Sequence, residues 1–273
     1  MTLNTHSWME DEAEKKLQIL VEQLAEANYE IIALQEVNQL LDSKMVTPDS
    51  YFQPLAEQRD IHQDNFAYIL VEKLKEKGLN YYWSWNSSHI GYDRYAEGAA
   101  ILSKHEIKPT SFLVSLEDDF SNYRTRQILL AKTQLFGEEV RVLSGHYSWW
   151  NPDRTSGFAY EWDQTLAVLK QEDSPIILMG DLNNAADVRQ EGYDYVQKTA
   201  PHLLDTYKIA ENVVGQYTVE KSIDGWQGNQ QKLRIDYIFV SKPFCVARYQ
   251  VIFDDISSPI VSDHYGIEAE LFL

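Results

Sequence analysis

The chain has 273 residues, 44% hydrophobic and 24% charged, the composition of a globular protein with material for a sizeable core. Its 42 acidic side chains against 24 basic ones give a net charge of −18, which disfavours long polyanions, since nucleic-acid binders draw much of their affinity from basic surfaces. The one cysteine, Cys245, excludes an intramolecular disulfide or a cysteine metal cluster and is expected to be buried; with no leader-peptide pattern and no apolar run of about 18 residues, the chain reads as cytoplasmic.

Residues 1–6 read as a short strand. Residues 10–28 have helical spacing, with Leu17, Leu20, Val21 and Leu24 on one face. EIIALQEV, residues 30–37, is a buried strand with a polar tip, followed by a proline-containing loop over 38–60. Residues 65–77 form a helix stopped by Gly78. Strands follow at 81–85, 99–102, 107–116, 126–134 and 139–144. A helix over 155–171 precedes a strand at 176–179, and strands at 234–240, 246–253 and 266–272 close the chain. Strands outnumber helices, yet helices fall between several of them. That mix suggests a two-sheet core flanked by helices.

Several of these strands start or finish on residues able to do chemistry. TLNTH carries Asn4 and His6, LQEV carries Glu36, and VLSGH carries His146. MGDLNN carries Asp181 and Asn183, RIDYIFV opens on Asp236, and SDH supplies Asp263 and His264. Along an extended segment Asp181 and Asn183 point to one side, where a carboxylate and an amide can share a substrate oxygen, a water or a hard cation. Gly, Asp and Asn also make turns, so MGDLNN alone fits a turn as well as a site.

Asn4, then LQEV, a histidine after a strand, GDLN, a DY-containing strand and a late SDH together resemble the endonuclease/exonuclease/phosphatase superfamily over nearly the whole chain. The resemblance implies a four-layer α/β sandwich, two packed mixed β-sheets flanked by helices, with residues 1–273 as one catalytic domain. It also implies hydrolysis of a phosphate ester with Mg²⁺ or Mn²⁺. By that resemblance Glu36 is the principal metal carboxylate. Asn4 joins it through its carbonyl oxygen, and Asp263 acts on the metal or its waters. His264 contacts the scissile phosphate, with Asp236 as its carboxylate partner. Asp181 orients or deprotonates the attacking water, and Asn183 donates to a phosphoryl oxygen. His146 protonates or stabilises the leaving oxygen, with Glu97 as its acidic partner.

Two further features bear on the substrate. Arg124 and Arg126 sit two positions apart at the mouth of the 126–134 strand, facing one side, and arginine binds phosphate through paired hydrogen bonds. Trp149 and Trp150 follow His146 and suit a sugar face or a base, whereas Trp83 and Trp85 read as core; Trp8, Trp162 and Trp226 complete the set. Charge tips the balance from nucleic acid to a small phosphorylated sugar. TLNTHSWMEDEAEKK and SGHYSWWNP are similar to a sugar-phosphate phosphatase branch of the family, which makes maltose 6′-phosphate or a related sugar phosphate the expected substrate. A Mg²⁺-dependent nuclease on the same fold and a non-catalytic binding module are the alternatives. No nucleic-acid or membrane partner is expected.

Overall fold

The computed structural model describes residues 1–221, 223 and 231–273; Trp226 lies outside the described residues. The chain opens with β1 (Thr2–Asn4), α1 (Ala13–Ala27), β2 (Ile31–Leu40) and α2 (Phe66–Glu76). The strands β3 (Tyr82–Gly91), β4 (Tyr95–Ser103), β5 (Lys108–Leu113), β6 (Gln127–Leu135) and β7 (Glu138–His146) follow. Then come α3 (Gly157–Leu169), β8 (Ile176–Asp181), α4 (Gly192–Thr199), β9 (Leu204–Asp205), α5 (Thr206–Ile209) and β10 (Asn212–Val214). The strands β11 (Asp236–Val240), β12 (Cys245–Ile252) and β13 (Gly266–Phe272) complete it.

One sheet has the order β10-β12-β13-β1-β2-β4-β3 and the other β5-β6-β7-β8-β11-β9. Both are mixed: β1 runs parallel to β2 and β7 parallel to β8 among otherwise mostly antiparallel neighbours. Alternation along each strand divides the core into layers. Ile32 and Leu34 of β2 join Leu17, Leu20, Leu24, Leu70 and Leu74 of the first two helices, while Ala33 joins Leu129, Val142, Met179 and Ile238 between the sheets. On the far side Leu143, Leu178 and Phe239 pack against Phe158, Trp162 and Val196. Helix, sheet, sheet, helix is therefore the layer order, an α/β sandwich as expected from the sequence.

Several strands run further into their polar ends than hydrophobicity alone indicates. β8 continues through Gly180 to Asp181, β7 through Gly145 to His146, and β2 through Glu36 to Leu40. Backbone pairing to neighbours carries the strands on through these polar tips, most of which are themselves buried. α4, β9, α5 and β10 have no counterpart in the expected elements, being short and weakly patterned. Cys245 is exposed, contrary to expectation, because it opens β12 at the end of the sheet opposite Phe272.

Candidate active site

Register brings the polar strand tips together. His146 of β7 and Asp236 of β11 are the lateral neighbours of Asp181, on either side of β8. Gly180 makes this arrangement possible: its φ is +136°, and a Cβ there would lie 2.0 Å from the Gly145 carbonyl oxygen. On the other sheet Asn4 pairs beside Gln35. Glu36 sits in a β-bulge, where the register of β2 against β4 shifts between Leu34 and Val37, and its φ is +51°. A non-glycine residue in the left-handed region is strained, and a bulge re-aims a side chain.

Asn4 joins the two sheets at this point. Its Nδ2 donates to Glu36 Oε1 at 2.8 Å and to Asp181 Oδ2 at 3.1 Å, while its Oδ1 accepts the His6 N–H at 3.2 Å. The carbonyl oxygen expected to face a cation is thus turned to the backbone, and the amide N–H₂ bridges two carboxylates. His264 Nδ1 is 2.9 Å from Asp236 Oδ2, and its Nε2 is 3.9 Å from Asp181 Oδ2. His146 Nε2 stands 3.7 Å from Asp181 and 3.9 Å from Glu36. Asp181 and Asn183 prove to be both site and turn. The Asn183 N–H donates to Asp181 Oδ1 at 2.7 Å, closing an Asx turn with Asn183 at φ +52°. The pair therefore does not share one side of an extended strand.

Burial, followed by the nearby Glu97 charge, pushes the Glu36 carboxyl up to about 8. Burial and then Asp236 push Asp181 up to about 7. For His264 burial opposes the charged ring, but Asp236 and Asp181 outweigh it and hold the pKa well above that of ordinary histidine. His146 goes the other way: burial, then Arg126, His89 and His264, hold it low and neutral. One patch thus contains a charged imidazole, a neutral one and two carboxyls poised near neutrality, the spread that acid–base chemistry requires.

A cleft of about 250 Å³ opens over these groups, lined among others by Glu36, Glu97, Arg126, His146, Trp149, Asp181, Asn183 and His264. Asp263, next in the chain to His264, is not part of that lining and joins a cluster that sequence reasoning left unassigned. His6 Nδ1 is 2.8 Å from Glu10 Oε1 and 3.8 Å from Asp263 Oδ2, and Glu10 Oε1 accepts the Asp263 N–H at 2.9 Å. Burial works against a charged His6, yet Glu10, Glu36 and Asp263 raise it to about 9.

Three further expectations are corrected. Glu97 pairs with His89, at 3.3 Å, and not with His146, because His89 is its cross-strand neighbour on β3. Arg124 is exposed in a turn, its Nε on the Tyr123 hydroxyl, so Arg124 and Arg126 do not face one way. Trp150 packs towards Tyr195 and the α3–α4 side of the core, leaving Trp149 as the cleft tryptophan. His89, Tyr92 and Tyr123 line the cleft without having been singled out. Had the 81–85 strand been followed on through NSSHIG, alternation would have put His89 on a hairpin with Glu97.

The donor set fits a hard divalent cation. Glu36 Oε2 and Asp236 Oδ1 are buried without a hydrogen-bond partner, and carboxylate oxygens are the ligands that Mg²⁺ and Mn²⁺ prefer. Asp181, Asp236 and His264 bring ligand atoms within 4.8 Å of one another, as do His6, Glu10 and Asp263.

This fold and site define a class. Residues 8–264 match the model of the endonuclease/exonuclease/phosphatase family, and the chain belongs to that family of hydrolases. Among solved structures it is similar to a family member from Leptotrichia buccalis, with 33% identity, a TM-score of 0.86, and 100% of this chain and 98% of that one covered. It shares its fold with a mannosyl-6-phosphatase from Bacteroides thetaiotaomicron, at 16% identity and a TM-score of 0.68, covering 100% of this chain and 98% of that one. The same holds for TDP2 from Caenorhabditis elegans, at 16% identity and a TM-score of 0.64, covering 99% and 73%. No curated protein sequence matches the chain. Among the described residues no helix is long and apolar enough to cross a membrane.

Proposed function

We propose that the protein is a metal-dependent phosphomonoesterase that hydrolyses a sugar phosphate, maltose 6′-phosphate being the first substrate to try, with residues 1–273 as one catalytic domain. The observation that carries this reading is the meeting of Glu36, Asp181 and His264 in one small cleft with Arg126 on its wall. A cleft of about 250 Å³ rimmed by Trp149, Tyr92 and Tyr123, on a chain of net charge −18, suits a compact phosphorylated sugar better than a duplex.

A Mg²⁺ or Mn²⁺ ion held by Glu36, with Asp263, would supply Lewis-acid stabilisation of charge on the phosphoryl oxygens, while Asn4 orients the Glu36 and Asp181 carboxylates through its N–H₂ group. Asp181, raised towards neutrality and fixed by the Asn183 N–H and Asn4, orients the attacking water and takes its proton. The bond from water to phosphorus forms as the bond to the sugar oxygen breaks. His264, charged and braced by Asp236, stabilises the phosphoryl oxygens. His146 is neutral, so it steadies the departing sugar oxygen by a hydrogen bond, and that oxygen takes its proton from water. Arg126 holds a non-bridging oxygen, Asn183 donates a further hydrogen bond, and Trp149 offers a flat face to the sugar ring.

The test is phosphate release with Mg²⁺, with and without chelator, from maltose 6′-phosphate, trehalose 6-phosphate, glucose 6-phosphate and an inositol phosphate, beside plasmid DNA. Chelator-sensitive release from a disaccharide phosphate with DNA intact is expected. Nicked DNA without sugar-phosphate turnover would assign the protein to the nuclease members of its family. Binding without turnover of any substrate would favour a non-catalytic module.

A further inference from the structure

Arg126 is an unusually committed cation. It is buried, its Nη1 is 3.1 Å from the Tyr123 carbonyl oxygen, and its Nε has no hydrogen-bond partner. A buried guanidinium with an unused donor is costly unless an anion completes it. Among the described residues the side chain within hydrogen-bond range of it is His89, whose Nδ1 and Nε2 lie 3.2 and 3.5 Å from Nη1, with Nδ1 also 3.0 Å from the Thr125 carbonyl oxygen. On the other side of the ring, Nε2 faces Glu97 Oε1 at 3.3 Å.

The backbone is shaped to hold this row. A register shift between Ser87 and His89 sets His89 directly across from Glu97. Gly91 leaves the space that the Glu97 carboxylate fills, since a Cβ at Gly91 would lie 2.3 Å from Oε2. Nδ1 faces the Thr125 carbonyl oxygen and Nε2 the Glu97 carboxylate, both acceptors, so the ring is held at both nitrogens, and Arg126 Nη1, 3.2 and 3.5 Å from the two, lies against the ring face.

We infer that His89, oriented by Glu97, is a positioning residue that fixes the Arg126 guanidinium for the substrate's phosphate. Glu97 acts in this reaction through His89 and Arg126. The inference rests on the proposed binding of a phosphate group in the cleft, and not on which ester is hydrolysed. Bidentate recognition by arginine depends on the plane of its fork, and a displacement of about 1 Å can cost about 10²-fold.

The experiment is a double-mutant cycle on the Mg²⁺-loaded protein with His89→Ala, Arg126→Ala and the pair, read by the dissociation constant of inorganic phosphate and, where turnover is found, by KM and kcat separately. His89→Ala is expected to weaken phosphate binding about 10-fold, mostly through KM, and to cost less than about 2-fold when Arg126 is already alanine. His89→Asn, which can still place a polar atom near Nη1, should recover part of the loss. Should His89→Ala not fold, Glu97→Gln keeps the packing and should shift phosphate binding in the same direction. Additive losses, or a lowered melting temperature with unchanged phosphate affinity, would overturn the inference. Phosphate binding that behaves as expected while no sugar phosphate is turned over would leave the positioning role standing and reject the phosphatase reading.

Discussion

At the scale of single residues, the site is a set of carboxyls and imidazoles driven from their ordinary pKa values by one another and by burial. Asp181→Asn keeps the shape and removes the proposed base, so phosphate release should drop by about 10²–10⁴-fold at saturating substrate while the fold is retained. The same carboxyls link stability to pH. Glu36 and Asp181 are raised to about 8 and about 7, so the folded, metal-free chain holds protons that the unfolded chain releases. Their contribution is complete below the ordinary carboxyl range near pH 4 and is lost as pH rises through about 7 to 8. The chelated protein should therefore melt at progressively lower temperature between about pH 5 and 8. Mg²⁺ should raise the melting temperature, and by more at the upper end, at about 2–4 °C for each kcal/mol. Scanning calorimetry in both conditions checks this, and parallel pH curves with and without Mg²⁺ would count against a cation at these carboxyls.

At the scale of elements, the site depends on how accurately β8 and β11 are locked. Arg234, two residues before Asp236, makes a bidentate pair with Asp205 at 3.2 and 2.8 Å and lies over the rings of Tyr193, Tyr207 and Tyr237 at 4.6–5.2 Å. Both partners are buried, so Asp205→Ala strands a guanidinium and should cost about 3–5 kcal/mol in urea unfolding. None of this could be read from the sequence, because the two residues are 29 positions apart and RIDYIFV, which begins at Arg234, drew attention to Asp236 alone. Alternation and helical spacing did disclose the long elements and the layers they form. The joint pattern of LQEV, GDLN and SDH drew attention to Glu36, Asp181, Asn183 and His264, which the fold brings into one cleft. What escaped was decided by register. The Asn4 bridge, the pairing of Glu97 with His89 and the outward turn of Arg124 all depend on a bulge or a turn that composition does not announce.

At the scale of the whole molecule, a net charge of −18 surrounds a cleft that holds a buried cation, Arg126. Local basic chemistry inside an acidic exterior favours small anions over long ones. Turnover of a sugar phosphate should change little between about 50 and 200 mM salt, while any DNA binding should be weak at the lower value and vanish at the higher. Tight DNA binding at low salt, measured by fluorescence anisotropy, would show that the net charge misleads. The position of β1 between β2 and β13 has a consequence for biosynthesis. The Ser262 hydroxyl donates to the Asn4 carbonyl oxygen at 2.7 Å, so groups 258 positions apart in the chain meet at the cleft. A ribosome exposes Asn4, Glu36 and Asp181 well before His264 leaves the exit tunnel. Throughout that interval the nascent chain carries the acidic half of the site without the strand that completes it. Translation intermediates that lack β13 should be ones that chaperones hold.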